Sequence, residues 1–211
     1  MHRTLLTLSA VALLVACPDP AKNKPQAKVT PAAPAAAQPA ALTGGETFAF
    51  SNDGSTLHWV GAKVTARHDG GFNTFSGTLQ VVDGTPAKSQ VKVEIAMDSV
   101  FTEPEKLVTH LKSDDFFDVQ KFPTATFVSQ AIAEGGTDGA SHTVTGVLTL
   151  HGVSKTLTFP ASIELTDGAV TVKAEFAINR KDFGIVYPGQ PDNLIADQVL
   201  LKLDIHAKKA G

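Results

Sequence analysis

The chain contains few groups that could carry out chemistry, and those it has stand apart in the sequence. Its histidines are isolated, without the helical pairing that binds a metal ion, and the sequence has no nucleophile elbow. His110, close to Asp114 and Asp115, is the nearest arrangement to an acid–base pair. The other histidines weighed are His58, His68, His142, His151 and His206. The sequence therefore predicts a protein that is not an enzyme, with no metal site and no cofactor.

Cys17 is the residue whose context predicts a covalent modification. Residues 1–16 read as a signal peptide, because a short basic start precedes an apolar run shorter than the roughly 18 residues of a transmembrane helix. Leu14-Val15-Ala16-Cys17 resembles a bacterial lipobox, in which the cysteine is acylated and becomes the mature N-terminus. As the sole cysteine of the chain, it excludes an intramolecular disulfide. We predict a lipoprotein of the bacterial envelope that faces the periplasm, with the choice of inner or outer membrane left open.

Residues 17–45 are predicted to form the lipidated cysteine and a disordered tether. The segment is rich in Ala, Pro, Gln and Lys and has almost no large apolar side chain, so it cannot offset the entropy lost on ordering. In the polyproline conformation it would reach at most roughly 85 Å. Residues 46–211 are then one domain, and the net charge of −3 gives no reason to expect nucleic acid as a partner.

Alternation of apolar and polar residues runs through most of this domain and predicts antiparallel strands with one face inward. Clear examples lie at residues 91–98, 156–165 and 170–178. Turn signals separate the segments. They are Asp53-Gly54, Asp69-Gly70-Gly71, Asp83-Gly84, Gly135-Gly136, His151-Gly152 and Asp167-Gly168. About eight or nine strands, several of them long, favour closure into a barrel just wide enough for a small ligand.

The segment from about Glu103 to Lys112 breaks this alternation and has helical spacing. Leu107 and Leu111 fall on one stripe, and Pro104 stands where a helix begins. Phe116 and Phe117 follow among acidic residues; such rings are costly to expose, so we expect them to tuck under the edge of the barrel. The predicted helix and both rings form a lid or plug.

Two further residues are candidates for contact with a ligand. Trp59, on an early strand, suits a cavity wall, although plain core packing explains it equally well. Arg180 either pairs with Asp182 to hold the loop that follows, or binds an anionic headgroup at the barrel mouth.

Four ordered motifs together resemble the YceI-like family. They are Gly70-Gly71-Phe72 through Phe75-Ser76-Gly77, His110-Leu111-Lys112-Ser113 with Asp115-Phe116-Phe117-Asp118, Gly146 to Val153, and Asn179-Arg180 with Asp182-Phe183-Gly184. The resemblance implies an extended, lipocalin-like antiparallel barrel of the periplasm that holds a polyisoprenoid or another long-chain amphiphile, with a helix over one end.

Two functions remain open on the sequence. One is a membrane-anchored carrier with a lipid in its barrel; the other is an envelope structural or stress protein whose barrel is filled by its own side chains. Small residues at inward positions, including Gly61, Gly77 and Gly146, mildly favour a cavity. The predicted ligand-lining residues are Trp59, Phe75, Leu148, Phe159, Phe176 and Arg180, and the predicted lid residues are Leu107, Leu111, Phe116 and Phe117. The oligomeric state is not indicated.

Overall fold

The structure is a computed structural model that describes residues 19–32, 42 and 44–210. The predicted signal peptide and Cys17 lie outside the described residues, as do residues 33–41 and 43 of the predicted tether. None of the helices in the described part of the chain is both long enough and apolar enough to cross a bilayer.

Strands dominate the described chain. They are β1 (Lys28–Pro31), β2 (Glu46–Ser51), β3 (Thr56–Lys63), β4 (Ala66–Phe72), β5 (Phe75–Val81), β6 (Ser89–Ala96), β7 (Val100–Thr102), β8 (Thr124–Glu134), β9 (His142–Leu150), β10 (Val153–Leu165), β11 (Ala169–Asn179), β12 (Gly189–Gln190), β13 (Asn193–Leu194) and β14 (Gln198–Lys209). A single α-helix, α1 (Glu105–Lys112), is described between β7 and β8, and short 3-10 turns cover Pro86–Lys88, Met97–Ser99 and Arg180–Phe183.

Eight of these strands close into an antiparallel barrel. The ring runs β2, β5, β6, β8, β9, β10, β11, β14 and back to β2. Each strand of the ring pairs on both sides over at least part of its length, which limits the exposed edges that make long strands prone to aggregate. The prediction of an all-β, lipocalin-like barrel of about eight strands with one short helix is confirmed.

The same sheet continues past the barrel in a branch of strands that begins at β14. Residues Leu200–Asp204 of β14 pair with β3, which pairs with β4, and β4 pairs with β7. The chain then enters α1, so this branch carries the lid to one end of the barrel. The β12–β13 hairpin forms a separate small sheet, joined to the turn after β3 by the backbone hydrogen bond from Val64 N to Leu194 O, 3.1 Å long.

The alternation predicted for residues 91–98, 156–165 and 170–178 corresponds to β6, β10 and β11. Inward residues of these strands join two apolar clusters, one around Phe48, Phe50 and Leu79, the other around Phe159 and Phe176. The predicted turn at Asp69-Gly70-Gly71 is wrong, because these residues lie inside β4. A Cβ on Gly70 would collide with the ring of Trp59, so the glycine serves close packing between strands instead of a turn.

The prediction of a disordered tether is wrong for residues 19–32, which fold onto the barrel. Lys28–Pro31 forms β1 and pairs antiparallel with β10, with Val29 opposite Leu157. Ala21 is buried, with 2% of its surface exposed. The segment is as poor in apolar residues as the composition indicates, but its backbone groups find hydrogen-bond partners on the barrel wall. We call residues 19–32 the N-terminal arm.

Candidate ligand-binding site

A cavity of about 390 Å³ lies beneath α1, and we call it the lid cavity. Leu107 and Leu111 of α1 line it on one side, Trp59 of β3 and Leu201 of β14 on the others. Phe116 and Phe117 also line it. All four predicted lid residues therefore lie around one space, and they pack in one apolar cluster with Trp59.

A second cavity of about 160 Å³, the inner cavity, lies deeper in the barrel. Its walls include Phe159 of β10 and Phe176 of β11. The two cavities have five wall residues in common, so they adjoin across a single layer of side chains. These shared residues are Leu57, Ile95, Leu148, Leu201 and Leu203.

Polar groups are distributed unequally between the two cavities. The lid cavity has His58, Lys63, His68, Gln190 and Asn193 among its walls, whereas apolar residues line the inner cavity apart from Ser89. The Ser89 hydroxyl donates to Thr85 O at 2.9 Å, so it is already satisfied. An amphiphile would therefore find polar partners at one end of this space and hydrocarbon at the other.

The positive charges in the walls of the lid cavity belong to Lys63 and the buried Arg180. Burial, and next the positive charge of Lys63, lower the pKa of His68. An ordinary histidine already titrates below pH 7, and the pKa of His68 is lower still. Its imidazole is therefore mainly neutral at pH 7.

Trp59 forms part of the cavity wall, and neighbouring glycines leave room for its ring. It pairs with Gly70 across β3 and β4, and its ring covers the space that a side chain there would need. Gly61 is open on the cavity side, since a Cβ there would meet the ring no closer than 3.7 Å. The indole Nε1 is buried and has no hydrogen-bond partner among the described residues.

The lid is fastened to the barrel by a cluster of aromatic rings. The ring of His110 lies 4.9 Å from that of Phe116 and 5.0 Å from that of Tyr187, each edge to face. His110 Nε2 also contacts Asp115 Oδ2 at 2.9 Å. His110 and Asp115, which in the sequence came nearest to an acid–base pair, thus join the helix to the loop after it. Through its ring, His110 also contacts the loop that carries Tyr187.

Arg180 has mainly a structural role in this geometry. Its guanidinium donates to Ile185 O at 2.7 Å and Ala196 O at 3.1 Å, and it contacts Asp197 Oδ1 at 3.4 Å. The residue lines the lid cavity, but only 4% of its surface is exposed. The predicted loop-fixing role is therefore found with Asp197 as the acidic partner in place of Asp182. Burial lowers the pKa of Arg180, and Asp197 opposes that shift.

The structure brings most of the predicted ligand-lining residues to the cavities. Trp59 and Arg180 line the lid cavity, Phe159 and Phe176 the inner one, and Leu148 both. Phe75 belongs to the apolar cluster around Phe48 instead and is not among the lining residues of either cavity. Gly77 and Gly146, expected to leave room, face the rings of Phe50 and Phe127, so the space comes from elsewhere.

Sequence reasoning missed several wall residues. Tyr187 and Ile185 lie on a loop without periodicity, and nothing in the pattern indicates that the loop folds back over the cavity. Leu201 and Leu203 could have been found, because they alternate with polar residues along β14. Residues 19–32, 42 and 44–210 contain no group of three or more His, Cys, Asp or Glu side chains placed to hold a metal ion.

A closed antiparallel barrel with adjoining, mainly apolar cavities beneath a helical lid defines a lipocalin-like barrel. The chain belongs to the YceI-like family: the YceI-like domain profile matches residues 48–207. Similar solved structures include BcnA of Burkholderia cenocepacia, 25% identical with a TM-score of 0.66, covering 75% of this chain and 99% of that one. The YceI protein of Campylobacter jejuni is 28% identical with a TM-score of 0.57, covering 67% of this chain and 85% of that one.

Two other similarities concern more distant or less completely matched proteins. A polyisoprenoid binding domain from Saccharophagus degradans shares the fold, at 16% identity and a TM-score of 0.63, covering 79% of this chain and 100% of that one. A UPF0312 protein of Pseudomonas syringae pv. tomato is 38% identical over 126 residues, which is 57% of this chain. The match spans 65% of the length of that relative.

Proposed function

We propose that the protein is a membrane-anchored periplasmic binding protein that holds a polyisoprenoid or similar long-chain amphiphile inside its barrel. The observation that carries the proposal is the pair of adjoining cavities, both mainly apolar, with polar side chains concentrated at the lid end. The lid cavity alone, at about 390 Å³, falls in the range of roughly 300–1,000 Å³ typical of small-molecule sites.

The division of polarity assigns an orientation to the ligand. The far end of the hydrocarbon chain occupies the inner cavity against Phe159 and Phe176, where a polar group would have no partner, and the rest of the chain runs through the lid cavity. The headgroup lies in the lid cavity near Lys63 and His68. Leu148, which lines both cavities, contacts the chain where it passes from one to the other.

Burial of the chain supplies enough free energy for tight binding without a dense set of polar contacts. Each buried methylene contributes about 0.8 kcal/mol, so a chain of about 20 carbons has a gross driving force near 16 kcal/mol before ordering costs. This explains why the site has few polar groups. The fold shared with the polyisoprenoid binding domain of Saccharophagus degradans supports the same ligand class.

The anchor is part of the proposal. Acylation of Cys17 in the lipobox-like sequence would attach more than one acyl chain, which satisfies the two-signal requirement for stable membrane binding. The barrel would then stand at the periplasmic face of the membrane from which a polyisoprenoid is drawn.

Organic extraction of the native protein followed by mass spectrometry tests occupancy and identity together. Added geranylgeraniol, a chain of four isoprene units, should raise the melting temperature of the delipidated protein through binding linkage. Leu148→Asp, which places a charge between the cavities, should abolish that rise. Val147→Asp is the matched control, because its side chain points to the opposite face of β9. Absence of stoichiometric lipid together with no shift on adding geranylgeraniol would favour the solid-barrel envelope protein.

A further inference from the structure

The wall of the barrel is split between β10 and β11. The two strands pair only where Ser162–Leu165 meets Val170–Lys173. Beyond this short ladder they separate, although β11 continues along β14 as far as Asn179. The split is a real interruption of the hydrogen-bonded ring.

The N-terminal arm fills the split and bonds to both sides. On one side β1 pairs antiparallel with β10. On the other, Ala27 N donates to Ala177 O at 2.9 Å, and Ala177 N donates to Pro25 O at 2.8 Å. Residues 25–31 are therefore a segment inserted into the barrel wall between two strands that do not hydrogen-bond to each other there.

The arm also contributes to the interior. Residues opposite each other in a ladder point to the same face, and Val29 is opposite Leu157, which lines the inner cavity. Ala27 and Val29 pack against the apolar cluster that contains Phe159 and Phe176. Both edges of the split thus belong to the inner cavity, with the arm closing it from the side.

This inserted segment is held less firmly than the strands beside it. β1 has four residues, against eleven in β11, and only the partly buried Ala27 and Val29 of residues 25–31 pack against the core cluster. Its ion pair, Lys24 Nζ to Glu175 Oε2 at 2.9 Å, has both side chains 39% exposed. Segments with few buried contacts open at the low end of a protein's stability range.

We infer that residues 25–31 can detach from the barrel wall. The split that they fill between β10 and β11 is then a lateral portal to the inner cavity. The inference rests on the proposed lipid-binding function. A long chain enters or leaves sideways when the arm detaches, without having to thread past the lid.

A disulfide that locks the arm tests the portal. Thr30→Cys with Thr156→Cys joins the arm to β10 at an opposed pair of outward-facing positions, in a Cys17→Ser background that leaves no other thiol. The matched control, Ser76→Cys with Glu94→Cys, places an outward disulfide between β5 and β6, away from the split. The probe is all-trans-retinol, a fluorescent isoprenoid, and the readout is its rate of transfer from loaded protein to phosphatidylcholine vesicles.

The oxidised arm disulfide should slow retinol transfer at least tenfold, and reduction should restore it; the control should transfer at the same rate in both states. Val29→Asp, which weakens docking of the arm, should accelerate transfer. Equal rates for the oxidised and reduced arm disulfide would overturn the portal and direct the chain past the lid. Failure of the Cys17→Ser protein itself to bind either retinol or geranylgeraniol would instead refute the proposed function, and the portal with it.

Discussion

The rings of Phe159 and Phe176 lie nearly parallel, with centroids 4.1 Å apart and planes inclined by 15°. The register of the short β10–β11 ladder, continued past Ser162, places these residues opposite each other where the strands have stopped bonding. The stack therefore bridges the split from inside the barrel, while the N-terminal arm closes it in the wall. Side-chain contact replaces backbone pairing at this position.

Phe176→Asp should destabilise the barrel and empty it, because it puts an unpaired charge against apolar walls and removes one half of the stack. A loss of more than about 3 kcal/mol in unfolding free energy is expected, comparable with truncation of a buried ring. Phe176→Leu is the conservative control and should retain lipid. Denaturant unfolding and lipid extraction measure the two effects, and a Phe176→Asp protein with normal lipid content would contradict the assignment of the inner cavity.

The two lid phenylalanines should differ in importance. Phe116 is only 7% exposed and contacts the rings of His110 and Tyr187, whereas Phe117 is half-buried. Phe116→Ala should cost about 3–5 kcal/mol of stability, with Phe117→Ala costing less. Both variants should bind retinol less tightly than wild type, because each loses wall contacts in the lid cavity. Melting of the two single variants separates them, and equal, negligible effects would show that the lid does not depend on these rings.

Arg180→Ala should destabilise the loop from Phe183 to Asp197 far more than Lys181→Ala. Removal of Arg180 leaves the buried carbonyl of Ile185 without its donor, at about 1–3 kcal/mol, and the half-buried carbonyl of Ala196 without its donor at a smaller cost. Lys181 contacts the same Asp197 from an exposed position, where an ion pair contributes only about 0–1 kcal/mol. Chemical denaturation gives both values. If Arg180→Ala kept full stability but lost ligand affinity, the headgroup interpretation of Arg180 would replace the structural one.

Gly70→Ala should displace Trp59, because the new methyl group would collide with the indole ring. Overpacking of this kind costs about 1–3 kcal/mol. Tryptophan fluorescence reports the change directly, since Trp59 is the sole tryptophan of the chain. Gly168→Ala is the control, because no other group lies within 4 Å of the Cβ it would add. An unchanged emission spectrum in Gly70→Ala would contradict the placement of the ring over this glycine.

Cys17→Ser should abolish membrane attachment if the lipobox interpretation is correct. Wild-type protein should enter the membrane fraction and take up an alkyne analogue of palmitate during growth, whereas the variant should do neither. Detection by click chemistry and by fractionation gives independent readouts. Wild-type protein that is unlabelled and recovered in the soluble fraction would reject the anchor.

The parts of the fold that follow from local periodicity could be predicted from the sequence. Alternation along β10 and β11 locates Phe159 and Phe176 on the inner face, and the helical stripe of Leu107 and Leu111 locates the lid. The same reasoning places Phe75 inside correctly but cannot tell a core residue from a cavity residue, because both face inward.

The parts that depend on long-range pairing could not be predicted. Residues 25–31 have too little apolar surface to indicate a strand, and they are ordered by backbone groups on β10 and β11 that lie more than a hundred residues away. Gly70 resembles a turn residue until the position of Trp59 is known. Arg180 pairs with Asp197 and not with the expected Asp182. This too could not be predicted, because the loop that carries Asp197 has no periodicity in its sequence.

If Cys17 carries the proposed lipid anchor, docking of the N-terminal arm would set the length of the tether between barrel and bilayer. Asp19, where the described arm begins, follows Cys17 by two positions, so with Cys17 lipidated the docked arm keeps the anchor within about 7 Å of chain from the barrel wall. Release of the arm would lengthen this tether to at most roughly 85 Å. The effective concentration of the barrel at the membrane falls steeply with that length. The segment that closes the wall would therefore also decide whether the barrel lies against its own membrane or reaches toward a distant one.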